Sequence, residues 1–233
     1  MKKVLLVIAV VIAMAAIAAC QPSKTEPTVK LEGKKLLYVE KASSGGDFLT
    51  VSRIKKMGFE VTEIFDGEFT TESADGFDVV FVSSSISSGK VGTKLYNSPV
   101  PVVYAEPQNI SDIDLAGWDD TVDNGTVNGK TIKIKDANHP LAAGLNGNID
   151  VYKSEGAIGF AIPGGEAQII ATASDDEKKA VLFALEKGGK NLNNHPVPAR
   201  QVFIYLDPDN VVYHTDDGWK LLEAALTWAV SGN

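Results

Sequence analysis

A single α/β domain, built on a mainly parallel sheet with a β-rich extension in the middle of the chain, is the fold class that this sequence predicts. Three observations carry it. From Lys35 onward, short apolar segments alternate with helix-length connections, the order that lays strands side by side with crossovers between them. Asp78–Val82 is apolar on consecutive positions, as a strand covered on both faces should be. In the middle of the chain the texture changes: Thr131–Lys135 alternates, with Ile132 and Ile134 on one face.

The elements follow in order. Lys35–Val39 reads as the first strand and leads into a Ser-Ser-Gly-Gly loop at Ser43–Gly46. Asp47 then caps a helix in which Phe48, Val51, Ile54 and Met57 recur at helical spacing, with Gly58 as its stop. Phe59–Phe65 is the second strand and Asp78–Val82 the third. Lys90–Tyr96 is helix or loop, and Val100–Ala105, entered through Pro99 and Pro101, is the fourth strand. Ala167–Ala173 and Ala180–Leu185 join Thr131–Lys135 as neighbouring strands of the extension. Val202–Leu206 is the last core strand. It runs into an amphipathic C-terminal helix with Trp219, Leu222, Leu226 and Ala229 on one stripe, behind Thr215 or Asp216 as cap. Low-complexity sequence is confined to Ser83–Ser88, and no internal repeat is visible.

The N-terminal segment is of another kind. Lys2 and Lys3 precede an uninterrupted apolar run from Val4 to Ala16, closed by Ile17-Ala18-Ala19-Cys20. That is the pattern of a secretion signal, and the cysteine after two alanines resembles the lipobox of bacterial lipoproteins. The alternative is an ordinary signal peptide with an incidental cysteine. The resemblance implies a signal peptide over 1–19, a lipidated tether over 20–34 and a domain over 35–233. Cys20 would then be the first mature residue, carrying a thioether-linked diacylglycerol and usually an amide-linked acyl chain. Each buried acyl methylene contributes about 0.8 kcal/mol, so two or three chains hold a protein on the lipid bilayer durably. Gln21 stands where an aspartate would, by resemblance to enterobacterial lipoproteins, favour retention at the inner membrane. An outer-membrane or cell-surface position is therefore expected.

Composition narrows the function classes. The 233 residues carry a formal charge of −8, and removal of Lys2 and Lys3 with a signal peptide would leave −10. Lys and Arg form no block or stripe, which argues against a nucleic-acid partner. Cys20 is the only cysteine, so an acylated chain has no thiol left for a disulfide, a thiolate nucleophile or a metal. No cofactor motif is present. Gly164-Gly165 and Gly188-Gly189 read as turns, because neither follows a strand and opens a helix.

Several stretches together resemble the class I glutamine-amidotransferase-like superfamily, a flavodoxin-like architecture, and within it the trehalose-utilisation (ThuA-like) domains. They are Lys35–Val39, Gly58-Phe59-Glu60-Val61 and Asp78-Val79-Val80-Phe81, with Asn138-His139-Pro140-Leu141, Gly144-Leu145 and Leu226-Thr227-Trp228-Ala229. The amidotransferases place a cysteine on a glycine-flanked turn after the third strand, with a histidine and a glutamate from later in the chain. Here that turn reads Ser83-Ser84-Ser85-Ile86-Ser87, and Leu206-Asp207 stands where ThuA-like domains carry Gly-His. The resemblance therefore implies the fold without the amidotransferase chemistry.

Candidate chemistry collects at the ends of the strands. Open α/β sheets bind ligands beyond their carboxyl ends, which brings forward Glu40, Ser84, Ser85, Glu106 and Asp207. The serines offer hydroxyls and backbone N–H groups to a sugar or an anion, or simply cap the next helix. Two carboxylates across a cleft are the minimum for glycoside hydrolysis; otherwise Glu106 accepts hydrogen bonds at the bend before Pro107, and Glu40 is solvated. His139, ahead of Pro140, is read as fixing a turn rather than activating a nucleophile. The three histidines fit no zinc spacing. Oxygen-rich runs at Asp119-Asp120, Asp207–Asn210 and Asp216-Asp217 leave a weak calcium site open. Trp118 is a sugar platform or, in the plainer reading, a partly buried loop anchor. The expectation is a non-catalytic or degenerate binding module at the cell envelope, with a carbohydrate or an envelope protein as partner. The alternative is a hydrolase of envelope glycans.

Overall fold

The computed structural model describes residues 30–42 and 47–232. The signal, Cys20 and most of the tether lie outside the described residues, as does the Ser43–Gly46 loop. Among the described residues no helix is long and apolar enough to cross a membrane.

The strands are β1 (Lys35–Glu40), β2 (Glu60–Phe65), β3 (Val79–Val82), β4 (Val102–Tyr104), β5 (Asn124–Gly129), β6 (Thr131–Ile134), β7 (Asn148–Asp150), β8 (Gly156–Ala161), β9 (Gln168–Ala173), β10 (Ala180–Leu185) and β11 (Gln201–Ile204). The helices are α1 (Asp47–Lys56), the single turns α2 (Ser88–Val91) and α3 (Asn109–Asp112), and α4 (Asp216–Ser231). The strands form one sheet in the order β2-β1-β3-β4-β11-β10-β9-β6-β7, with β8 pairing β10 and β5 pairing β8. The first five positions are parallel. From β10 outward every pairing is antiparallel. The sheet is thus mixed: a five-stranded parallel core and an extension larger than the sequence pattern suggests.

The consecutive apolar positions divide between two faces, as the two-residue strand period requires. Leu36, Tyr38, Val79 and Phe81 meet Val51 and Ile54 of α1 and Leu222, Leu226 and Trp228 of α4. Leu37, Val39, Val80 and Val82 turn the other way, toward Val91, Leu95, Ile110 and Leu115 around the two short helices. At roughly 25 cal/mol per Å² of apolar surface removed from water, this double burial is the main force behind the fold.

Two expectations are corrected. Phe48 is 72% exposed, and α1 buries Asp47, Thr50, Val51 and Ile54 instead. The buried stripe is set one residue earlier because Asp47 itself is drawn inward by partners on β1 and just after β3. Strands β5, β7 and β8 go unseen in the sequence: Asn-Gly-Thr-Val-Asn-Gly and Gly-Ala-Ile-Gly-Phe-Ala have the composition of turns, and β7 is three residues long.

α4 starts where Thr215 caps it: its hydroxyl accepts from Gly218 N at 3.0 Å and donates to Asp150 O at 2.8 Å. Asp216 and Asp217 occupy the first turn, favourably placed against the helix dipole.

Candidate functional site

Chain direction reverses at the centre of the parallel core: β1 passes to β2 on one side, and the chain returns to β3 on the other. Ligands bind at such a switch point, beyond the carboxyl ends of the strands. Glu40 and Lys41 leave β1 there, Ser83–Ser85 leave β3, Glu106 follows β4 and Asp207 follows β11.

The serine turn is fixed from beneath. Ser83 donates to Asp47 Oδ1 at 2.5 Å, Tyr38 donates to the same oxygen at 2.7 Å, and Ser85 N donates to Ser83 Oγ at 3.1 Å. Burial, with the Asp47 charge beside it, pushes the Tyr38 phenol well above its usual value. Ser84 donates to Leu206 O at 3.2 Å, and Ser85 Oγ accepts from Lys41 N at 3.1 Å. The Ser85 hydroxyl thus ties the end of β3 to that of its neighbour β1, and Ser84 reaches across to the end of β11.

A groove of about 370 Å³ opens over this turn, lined by Lys41, Ala42, Ser84, Ser85 and Asp207–Asp209. Of the five candidates the structure brings three together here: Ser84, Ser85 and Asp207. Glu40 and Glu106 lie outside this lining. Sequence reasoning missed Lys41 and placed Asp209 only within an oxygen-rich run, although each lies within two residues of a named candidate.

Glu40, Glu106 and Asp207 at this edge hold their protons more tightly than usual. Burial raises Glu40 to about 7, with Asp47 and Glu63 adding to the effect and Lys55 opposing it. Glu106 is 7% exposed, and burial pushes it up to about 8; the neighbouring charges of Asp207, Asp112 and Asp120 act the same way, against a hydrogen bond from Gln108 N. Burial also raises Asp207, whose Oδ1 accepts from Asp209 N at 2.9 Å and Asn210 Nδ2 at 3.1 Å. Glu40 is half-buried rather than solvated.

The antiparallel β5–β8 pair packs next to Glu106, at Pro107. Gly159 N donates to Tyr205 O at 3.1 Å, and a Cβ on Gly159 would stand 3.2 Å from the Pro107 ring. With no side chain at Gly159 the β5–β8 pair settles closely on the residues that follow β4 and β11; a Cβ there would make Pro107 give by a few tenths of an ångström. The loop before β5 is braced by Asn124 Nδ2 donating to Ser111 Oγ at 2.8 Å. Trp118 in that loop is 64% exposed, against its plainer reading as a partly buried loop anchor.

The three imidazoles have other occupations. His139 Nδ1 accepts from Leu141 N at 3.1 Å, capping the turn at Pro140–Ala142. His195 sets its ring edge-on to Tyr96. His214 Nε2 bonds the Tyr205 hydroxyl at 2.8 Å, and burial, aided by Arg53, lowers its pKa to about 3. Ser83, Ser84 and Ser85 all avoid the left-handed backbone region, whereas a nucleophile elbow is a strained turn. The groove therefore supplies hydroxyls, carboxylates and an amine, without a hydroxyl–imidazole pair. Among the described residues no three His, Cys, Asp or Glu side chains converge as a metal site would require.

No protein-family model and no curated protein matches this chain. Solved structures do. A protein from Thermoplasma acidophilum assigned as a GMP synthase subunit superposes over 84% of this chain and 94% of its own, with a TM-score of 0.56 and 14% identity. PurLQS from Thermotoga maritima covers 84% and 99%, with a TM-score of 0.54 and 11% identity. The fold is glutamine-amidotransferase-like. At such identities the likeness concerns architecture alone.

Proposed function

We propose that this chain is an envelope lipoprotein, held on a membrane through acylated Cys20, whose amidotransferase-like domain binds a carbohydrate-class ligand without turning it over. One observation carries the binding reading: the switch-point groove combines the hydroxyls of Ser84 and Ser85, the carboxyls of Asp207 and Asp209 and the amine of Lys41, with none of its groups paired to an imidazole. A sugar presents hydroxyls that both donate and accept, and such a mixed lining matches it. Two carboxylates in the groove disfavour an anion. Exposed Trp118 adds an aromatic face in a loop whose Asp120 lies close enough to influence Glu106.

Calorimetric titration of the purified protein with neutral oligosaccharides, followed by product analysis, tests this. Saturable heat without products is expected, and Asp207→Asn should weaken binding by about tenfold, the worth of one charged hydrogen bond. Release of shorter glycans that stops with Glu106→Gln would replace this reading with the hydrolase. That second reading has its own support: Glu106, protonated at neutral pH beside the Asp207 carboxyl, is the acid–base pairing glycosidases use.

A further inference from the structure

Away from the crevice, α1, the turn at Val211–Tyr213 and the start of α4 enclose an open groove of about 330 Å³. Arg53, Lys56 and Lys153 line it, a convergence of cations in a chain whose net charge is −8. Arg53 is held in place by Glu223, its Nε donating at 2.7 Å, and lies over the Trp219 ring at 5.5 Å. Lys56 and Lys153 are exposed and make no salt bridge among the described residues. The buried His214 ring also lines the groove, and its Nδ1 has no hydrogen-bond partner. An oxyanion such as a phosphate is the group that these cations recognise.

The rim shows what carries that anion. Leu49, Val212 and Trp219 form apolar walls, and the adjoining turns expose Phe48, Tyr213 and, at 61%, Val212. Apolar residues beside a basic patch are the makeup of an interfacial membrane surface. The described chain also enters the domain here: Leu31 shares a second groove with Arg53, Lys56 and Met57. A tether reaching back to a bilayer thus starts beside the C-terminal end of α1, next to the Arg53 and Lys56 that the groove also uses.

We propose that this face docks on a bilayer, the groove taking the phosphate of an anionic lipid headgroup while Phe48, Leu49 and Val212 enter the headgroup layer. Charge sets the orientation, since an anionic surface attracts these cations and repels the acidic remainder. The site is separate from the crevice. It rests on the anchoring reading only for its access to a membrane.

The test uses the full chain reconstituted in phosphatidylcholine vesicles with and without phosphatidylglycerol. Flotation with both lipids reports the anchor; the difference in amide exchange between them reports the groove. Amides of residues 48–56 and 211–214 should exchange about tenfold more slowly with phosphatidylglycerol present, and a K56E/K153E double variant should lose that difference. Both lysines are exposed, so the variant tests binding rather than folding. Equal exchange in the two vesicle types, or a difference that survives the double variant, overturns the proposal. Inorganic phosphate added to phosphatidylcholine vesicles should leave exchange unchanged; equal protection by phosphate would make this a soluble-anion site and overturn the bilayer assignment.

Discussion

Glu106 keeps its proton at neutral pH because its carboxyl is buried beside other carboxylates, and this makes stability depend on pH in a definite direction. Its folded pKa of about 8 lies above the usual 4.5, so the folded state binds more protons between those values. Stability is therefore fully present below about pH 4.5 and is lost as the pH rises toward 8. Glu106→Gln stays neutral throughout. It should nearly match the parent near pH 5 and exceed it by roughly 4–5 kcal/mol near pH 9, read from urea denaturation midpoints. Legibility at this scale is partial. Position at a strand end is enough to pick out Ser84, Ser85 and Asp207, because strand ends follow from apolar runs. Whether Glu106 faces the groove or is buried aside from it depends in part on what packs at Pro107, and β5 and β8 give no strand signal. The exposure of Trp118 is hidden for the same reason.

Elements are legible where their pattern is long and unambiguous. β1, β3, β10 and α4 stand in the sequence nearly as the structure has them, since each buries almost all of its apolar positions. The apolar stripe of α1 misleads at Phe48 because a buried carboxylate, Asp47, outweighs a phenyl ring in deciding which side faces inward: its bonds to Tyr38 and Ser83 are available only from the core. A converse case sits at the start of α4. Glycine within a helix normally costs about 1 kcal/mol relative to alanine, yet a Cβ on Gly218 would stand 2.7 Å from His214 Nε2 and 2.8 Å from Val151 O. Backbone cannot yield as a side-chain tip can. Gly218→Ala is expected to destabilise the protein by about 1–3 kcal/mol despite its better helix propensity, measurable as a lowered melting temperature.

At the scale of the whole molecule, a parallel core carries the switch-point groove, and an antiparallel extension sets its β5–β8 pair against Pro107, just beyond the end of β4. Where the molecule resides depends on residues outside the described structure. If Cys20 is acylated, the mature N-terminal peptide should carry the mass of a diacylglycerol, and Cys20→Ser should move the protein from the membrane fraction to the soluble one. A mature terminus that begins at any other residue would remove the anchor. Gly159 is a point of close contact between the two halves, its N–H bonded to Tyr205 O. A Cβ at Gly159 would stand 3.2 Å from the Pro107 ring, so Gly159→Ala would press the residue beside Glu106 by a few tenths of an ångström; any loosening there that admits water would lower the Glu106 pKa toward its ordinary value. The protonation of that one glutamate thus reports on its own burial: a spectroscopist following the titration would learn, at each temperature or ligand concentration, whether the edge around Pro107 stays closed.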